Sequence, residues 1–300
     1  MSAFLILLGA LILDRLFGDP RRFHPLAGFG RLAAWAESRW HAPSRLRGAL
    51  LLAALVVPWV ALAALGTSLA WGWLLSLVIL TLAIGWRSLD EHAEIVARAL
   101  ETDDLDAARA GVGMLVSRDT AALDARGVSG ATIESVLENG NDALFATIFW
   151  FLVAGAPGVV AYRLVNTLDA MWGYRNDRFR AFGWAAARLD DAMNLIPARL
   201  TALAYALAGR GRDALQCWRE QAAGWKSPNA GPVMAAGAGA LGMVLGGPAP
   251  YGGQREWRPR LGLGRLPDAA GIHQAVTLVD RALAIWMAFI VAGVSIVVLF

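Results

Sequence analysis

The sequence predicts an all-α, polytopic helical integral membrane protein in which cytoplasmic helical segments separate the membrane spans. Hydrophobic residues make up 57% of its 300 residues and charged residues only 17%, whereas an ordinary soluble domain is about 25% charged. The apolar residues are concentrated in long blocks, because residues 48–86 and 282–300 contain no charged side chain. At about 20 residues per crossing, such blocks are long enough to form transmembrane helices.

The blocks define the expected elements of one membrane-embedded domain over residues 1–300. The expected spans are 1–17, 48–66, 68–86 and 282–300, and Gly66-Thr67-Ser68 supplies the turn between the middle two. Glycine and proline interrupt two further charge-free segments, so these are expected to be broken, re-entrant or membrane-embedded helices. They are 143–162 and 227–250; the segments 87–142 and 163–226 are expected to be cytoplasmic and helical.

The distribution of arginine predicts the orientation. Residues 14–47 carry seven arginines and three acids, and residues 163–199 carry six arginines. Because cytoplasmic loops are enriched in basic residues, both segments are expected in the cytoplasm, with the two chain ends outside. The predicted location is therefore the cell (inner) membrane, crossed several times, with the active site facing the cytoplasm.

Several function classes are excluded or disfavoured. The single cysteine, Cys217, rules out an intrachain disulfide framework and a cysteine-based zinc site. No basic stripe with interleaved aromatics is present, so nucleic acid is not an expected partner. Residues 237–242 read Gly-Ala-Gly-Ala-Leu-Gly, a formal dinucleotide fingerprint, but no strand precedes them. Small residues there are more consistent with close helix packing.

An acidic stripe is the first candidate site. Glu134, Glu138 and Asp142 follow one another at i,i+4 spacing, so on a regular helix they share one face. A solvated acidic face is one interpretation. The sharper one is a Mg²⁺ site, because hard cations prefer clustered oxygen ligands.

Four other groups of polar residues combine acids with arginine, asparagine or histidine. Interfacial helix ends and surface ion pairs would explain them without a ligand, whereas phosphate or metal binding would explain why these side chains occur together. The groups are Asp14, Asp19 and His24; Arg118 and Asp119; Asn166, Asp169, Arg175 and Asn176; and Arg188, Asp190, Asp191, Asn194 and Arg199.

These groups belong to longer motifs that occur in a definite order along nearly the whole chain. They are Gly18-Asp19-Pro20 with His24-Pro25, Ser117-Arg118-Asp119-Thr120, Thr132-Ile133-Glu134-Ser135 with Glu138-Asn139, Asn166-Thr167-Leu168-Asp169, Gly173-Tyr174-Arg175-Asn176, Arg188-Leu189-Asp190-Asp191, Pro197-Ala198-Arg199-Leu200, Ser227-Pro228-Asn229-Ala230-Gly231 and Gly246-Gly247-Pro248. In number, order and spacing they resemble the adenosylcobinamide-phosphate synthase family of cobalamin biosynthesis. The chain departs from that family's pattern at Met234, where an acid is usual, and at Leu137 and Ala143.

The resemblance implies a membrane enzyme that attaches aminopropanol, or its phosphate, to the propionate carboxylate of adenosylcobyric acid, giving adenosylcobinamide or its phosphate. It further implies an ATP-driven reaction through an acyl phosphate, with ATP and Mg²⁺ required and the corrinoid as substrate. Expected partners are the corrinoid and amino-alcohol substrates, the lipid bilayer and other cobalamin-biosynthesis enzymes. The alternatives are a transporter or permease component for a corrinoid, and a non-catalytic membrane scaffold.

Roles within the site follow from side-chain chemistry, and the resemblance does not assign them. Catalytic roles are predicted for Asp190, Asp191, Arg188, Arg118 and Asp119, and metal binding for Glu134, Glu138 and Asp142. Substrate or phosphate binding is predicted for a larger polar set: Asp14, Asp19, His24, Asn166, Asp169, Arg175, Asn176, Asn194, Arg199, Ser227 and Asn229.

Overall fold

The computed structural model describes residues 2–20, 24–116, 119–251 and 254–299. This part of the chain is mainly helical. Its α-helices are α1 (Ala3–Phe17), α2 (Pro25–Trp40), α3 (Arg45–Thr67), α4 (Gly72–Ala83), α5 (Trp86–Glu101), α6 (Leu105–Gly113), α7 (Ala125–Asn139), α8 (Ala146–Trp172), α9 (Phe179–Phe182), α10 (Trp184–Ala208), α11 (Gly211–Gln221), α12 (Ala230–Leu241) and α13 (Ala269–Leu299). A π-helical segment, Gly140–Phe145, joins α7 to α8.

Four helical runs in the described ranges are long and apolar enough to cross a membrane. They are Arg45–Thr67, Gly72–Glu101, Ala125–Trp172 and Ala269–Ser295. The predicted all-α membrane fold is therefore confirmed. Helix α1 is not among the four, because its 15 residues extend only about 22 Å at about 1.5 Å per residue, less than the roughly 30 Å of a hydrocarbon core.

The segment after α12 differs from the expected broken helix. It contains four three-residue strands that pair antiparallel: β1 (Val244–Gly246) with β4 (Arg260–Gly262), and β2 (Ala249–Tyr251) with β3 (Gln254–Glu256). Gly242, Gly246 and Gly262 have φ values of 64°, 75° and 81°, a region that L side chains rarely adopt. Gly242 ends α12 two residues before β1, and Gly246 and Gly262 are the last residues of β1 and β4.

The chain forms two compact units, of which the first comprises Met1–Arg87 and Asp142–Asn194. Its core contains Leu168, Trp172 and Phe182, packed against apolar residues of α2 and α3. Helix α3 approaches α9 closely at Gly48. A Cβ at this position would lie 1.8 Å from the Phe182 carbonyl oxygen, so only glycine fits. Helix α8 is kinked at Gly155, where φ is +63°. This kink lies in the Gly-Ala-Pro-Gly segment that underlies the predicted interruption.

The second unit comprises Ser88–Asn141 and Leu195–Phe300. Its most buried element is α12, whose small residues allow close packing on two sides. A Cβ on Gly237 would lie 2.7 Å from the Leu137 side chain, and one on Gly239 would lie 2.8 Å from the Ala214 Cα. The Gly-Ala-Gly-Ala-Leu-Gly motif therefore lies within and at the end of a packed helix, and it does not open a nucleotide-binding turn.

Within the second unit, the last part of α10 exposes a row of apolar side chains. These are Leu195, Ile196, Leu200, Leu203 and Leu207. Most of them recur at helical spacing, so they form an apolar stripe along the helix. An exposed stripe of this kind is typical of a surface that contacts lipid or another protein.

Candidate functional site

The π-helical segment changes the geometry of the predicted acidic stripe. A π-turn holds more residues than an α-turn, so side chains beyond it no longer keep the i,i+4 phase of the helix before it. Asp142 lies in this segment, after Glu134 and Glu138 on α7. The three carboxylates therefore do not form one continuous helical stripe.

Asp142 instead belongs to a polar cluster within the first unit. The Asn166 side-chain amide donates to Asp142 Oδ2 at 3.4 Å and to Asp190 Oδ1 at 3.1 Å. The Asn194 amide donates to Asp190 Oδ2 at 3.2 Å, and its own oxygen accepts from the Tyr162 hydroxyl at 3.1 Å. Helix α8 and the start of α10 thus hold the Asp190 carboxyl through two asparagines.

Two more aspartates complete this group, which we call the aspartate cluster (Asp142, Asp169, Asp190 and Asp191). Asp169 interacts electrostatically with Asp191 and with Asp142. The Asp169 side chain lies against Gly173, where an added Cβ would come within 2.1 Å of Asp169 Oδ1. Glycine at position 173 therefore leaves room for the carboxylate at the end of α8.

Two arginines border the aspartate cluster at Asp191. Arg188 Nη1 donates to Asp191 Oδ2 at 3.4 Å, and Arg175 also interacts electrostatically with Asp191. Both arginine residues are exposed. Acids and arginines next to one another in a half-buried site suit a phosphorylated substrate with an associated cation.

The aspartates perturb one another's titration. Burial, followed by the charges of Asp142 and Asp169, raises the pKa of Asp190 to about 8, although hydrogen bonds from Asn166 and Asn194 oppose the shift. Burial also raises the pKa of Asp191, whereas Arg188 and Arg175 lower it. Asp190 therefore carries a proton over much of the neutral range unless a cation lies close by.

This shift predicts a specific pH dependence of stability. Because the pKa of Asp190 is higher in the folded than in the unfolded chain, folding takes up a proton between about pH 4 and 8, and stability falls as pH rises across that window. Asp190→Asn should remove this contribution and raise Tm by roughly 2–4 °C at pH 8.5 relative to the wild type, with a smaller gain at pH 5. Thermal unfolding of the detergent-solubilised protein measures both differences. Asp177→Asn, at an exposed position of the same unit, is the control; equal gains at both pH values would contradict the prediction.

The predicted metal set needs a correction. Glu134 is buried and forms an ion pair with Arg258, whose Nη1 lies 2.8 Å from Glu134 Oε2. Glu134 Oε1 also accepts from the Gly246 backbone amide at 2.8 Å. An arginine and a backbone amide thus neutralise this carboxylate, and Glu138 is exposed. Within the described ranges no three acidic, histidine or cysteine side chains are grouped to hold a metal ion.

The aspartate cluster fits Mg²⁺ in a different way. Mg²⁺ is commonly bound by one or two carboxylates together with substrate phosphates, and dedicated protein cages are less usual. Asp142 and Asp190 share the Asn166 amide as donor, so their carboxylates lie near each other. Burial, followed by the charges of Asp142 and Asp169, raises the pKa of Asp190, and a divalent cation would relieve the charge repulsion.

Several predicted site residues have local structural contacts. Asp14 is buried and its Oδ2 accepts from the Arg87 amide at 3.0 Å, at the start of α5. His24 Nδ1 accepts from the Leu26 amide at the start of α2, and His24 Nε2 lies 3.6 Å from Asp19 Oδ1. Two others form turns: Asn176 Oδ1 accepts from the Phe179 amide, and Asp119 Oδ1 accepts from the Ala121 amide. Arg118 lies outside the described residues.

The remaining predicted residues form a separate group in the second unit. Arg199 Nη1 donates to Asn229 Oδ1, and Arg199 Nη2 donates to the Pro228 carbonyl at 3.0 Å. Ser227 Oγ accepts from the amides of Asn229 and Ala230 at the start of α12. Arg199 therefore holds the loop that precedes α12.

Three residues with prominent contacts have no role predicted from the sequence. Tyr162 is buried and holds Asn194, Arg163 Nη1 donates to the Asp142 carbonyl at 3.3 Å, and Arg258 pairs with Glu134. Tyr162 and Arg163 lie four and three residues before Asn166, about one helical turn. This spacing is the sequence signal that could have connected them with the Asn166 motif. No local signal connects Arg258 to an acid 124 residues earlier.

Comparison with known proteins supports the family that the order of the motifs indicates. The family model described as CobD/Cbib protein matches residues 7–279. The chain is 56% identical to the cobalamin biosynthesis protein CobD of Stutzerimonas stutzeri over 98% of both chains, and 54% identical to that of Chromobacterium violaceum over 98% of this chain and 97% of the relative. Its identity to the Mycobacterium tuberculosis protein of the same name is 42% over 91% of this chain and 90% of the relative. No solved structure matches. With a family model covering most of its length and full-length relatives at this identity, the chain belongs to the CobD/CbiB family.

Proposed function

We propose that the chain catalyses an amide-forming step of cobalamin biosynthesis, the attachment of aminopropanol or aminopropanol phosphate to the propionate carboxylate of adenosylcobyric acid. The observation that carries the proposal is the aspartate cluster, half-buried and bordered by Arg175 and Arg188. Family membership and the names of the relatives support the pathway. The polar composition of the cluster supports chemistry on phosphate and carboxylate groups.

The reaction needs an activated acyl group, because a free carboxylate has no good leaving group. In the proposed sequence, a carboxylate oxygen of the corrinoid attacks the γ-phosphorus of ATP, ADP leaves and an acyl phosphate forms. The amine nitrogen then attacks the acyl carbon, the carbon–oxygen bond to phosphate breaks, and the amine loses a proton. Each turnover gives one amide, one ADP and one inorganic phosphate.

The side chains of the first unit match these demands. Arg175 and Arg188 present planar guanidinium groups that neutralise charge developing on transferred phosphate. Burial and the charges of Asp142 and Asp169 raise the pKa of Asp190. A cation bound beside it would offset those charges, so Asp190 would lose its proton and could accept the one that the attacking amine releases. Asn166 and Asn194 keep the Asp190 carboxyl in position. Mg²⁺, bound by Asp142 together with ATP, would supply further charge neutralisation at the phosphates and would leave the Asp190 carboxylate free to take the proton.

A coupled assay tests this function. Purified protein in detergent is supplied with adenosylcobyric acid, aminopropanol or its phosphate, ATP and Mg²⁺, and the corrinoid product and ADP are quantified together. We expect equal amounts of amide and ADP, and little ADP when either the corrinoid or the amine is omitted. Full amide formation without ATP would contradict the proposal.

A corrinoid transporter is the second candidate. Glu134, Asp142, Arg163 and Asp169 lie on the candidate span Ala125–Trp172, and ionisable groups on a span often mark a transport pathway. Uptake of a labelled corrinoid by proteoliposomes distinguishes the two functions. The enzyme proposal expects no accumulation above protein-free vesicles, together with amide formation by the same preparation.

The proposed orientation places the aspartate cluster on the cytoplasmic side of the inner membrane. With Cys217→Ser as background, Tyr174→Cys places a thiol at a 47% exposed position near the cluster, and Leu69→Cys places one at a 50% exposed position between α3 and α4. A membrane-impermeant maleimide should label Tyr174→Cys only in inside-out vesicles and Leu69→Cys only in intact cells. Labelling of Tyr174→Cys in intact cells would overturn the orientation.

A further inference from the structure

An apolar cavity of about 440 Å³ lies within the first unit. Most of the side chains that line it are apolar, whereas the aspartate cluster is polar. Its walls come from α2, α3, α4 and α8, and include Phe29, Trp59, Leu82 and Val160. Three of these helices belong to candidate membrane spans. The cavity is therefore surrounded by segments that lipid can reach, and its size is typical of a ligand site, about 300–1,000 Å³.

Arg163 is the charged side chain among the described residues that line this cavity. Its Nη1 donates to the Asp142 carbonyl, whereas its Nε is buried without a hydrogen-bond partner. A buried guanidinium nitrogen without an acceptor is costly, more so at membrane depth. A guanidinium group at the wall of an apolar cavity calls for a hydrogen-bond acceptor, and an anion meets its charge as well.

We propose that this cavity binds a phospholipid, with one acyl chain against the apolar wall and the phosphate at Arg163. Apolar walls suit an acyl chain, and arginine suits a phosphate, which it binds through paired N–H groups. Basic pockets between transmembrane helices are known to take anionic lipid head groups. A corrinoid or a nucleotide fits less well, because its many polar groups would be buried against hydrocarbon. The proposal is independent of the enzymatic function.

Native mass spectrometry in detergent tests the site by titrating phosphatidylglycerol against the purified protein. Arg163→Gln should weaken binding by about tenfold, as expected for loss of a charge-assisted hydrogen bond. Diacylglycerol with the same chains lacks the phosphate, so it should bind more weakly than phosphatidylglycerol and respond little to Arg163→Gln.

A second variant tests the cavity itself. A Cβ on Gly28, which lines the cavity, would meet only the Arg31 guanidinium, at 3.8 Å, so Gly28→Leu should fill space without disturbing the fold and should abolish binding of both lipids. Gly293→Leu is the matched control, because a Cβ there meets nothing within 4 Å. Wild-type binding by Gly28→Leu, or no saturable binding by the wild type, would overturn the proposal. Competitive displacement of the lipid by adenosylcobyric acid would overturn it too, by assigning the cavity to the substrate.

Discussion

Asp190→Asn is expected to lower the turnover number for amide formation by at least about 100-fold, since positioned acid–base groups typically contribute 10²–10⁴-fold. Asparagine keeps the size of the side chain and can still accept a hydrogen bond from Asn166 or Asn194, so the variant should insert and fold. It cannot accept a proton. Steady-state kinetics should therefore show the loss in kcat, with a much smaller change in KM for ATP.

Two comparisons make this result specific. Asp191→Asn should also reduce turnover, because it removes the carboxylate between Arg188 and Arg175. Asp177→Asn changes an exposed aspartate of the same unit and should leave turnover unchanged. Turnover close to the wild type in both Asp190→Asn and Asp191→Asn would assign these residues a structural role.

Breaking the Glu134–Arg258 pair is expected to have the largest effect on stability. The two side chains are only 7% and 10% exposed, and removal of one partner from a buried ion pair typically costs about 3–5 kcal/mol. Glu134→Gln or Arg258→Met should therefore lower Tm by roughly 6–20 °C. The loss arises because each substitution removes one partner of the ion pair and leaves the other group charged and buried.

The double variant and a surface pair provide the controls. Glu134→Met combined with Arg258→Met should be more stable than either single variant, since it leaves no buried charge. Asp268→Asn weakens the exposed Arg265–Asp268 pair and should cost less than about 1 kcal/mol. Losses equally small in Glu134→Gln and Arg258→Met would show that the buried pair does not stabilise the second unit.

The helical membrane fold can be predicted from the sequence because helices that cross a lipid bilayer are long runs of residues without charged side chains. Residues 48–86 contain no charge, and this block became α3 and α4, joined at Thr67 to Gly72. The strands between 244 and 262 were missed because three residues are too few to show alternation. The π-helical segment was missed as well, since nothing in Gly140–Phe145 marks it locally.

The candidate site was predicted in part. Side-chain chemistry predicts Asn166, Asp169, Asp190 and Asn194 as site residues, and the first unit brings them together. The sequence does not indicate that Arg258 pairs with Glu134, because only tertiary folding brings the two residues together. Local sequence patterns identify candidate polar site residues. Contacts between residues far apart in the chain decide which of their charges are neutralised within the protein.

The central claim is that this chain forms an amide through an ATP-derived acyl phosphate at the aspartate cluster. The most direct test supplies adenosylcobyric acid labelled with ¹⁸O in its reacting carboxylate and analyses the inorganic phosphate released in one turnover. Activation by ATP predicts that the phosphate acquires one ¹⁸O atom, in an amount equal to the amide, and that Asp190→Asn forms the amide at least about 100-fold more slowly. Amide formation with unlabelled phosphate, or undiminished product from Asp190→Asn, would contradict the account.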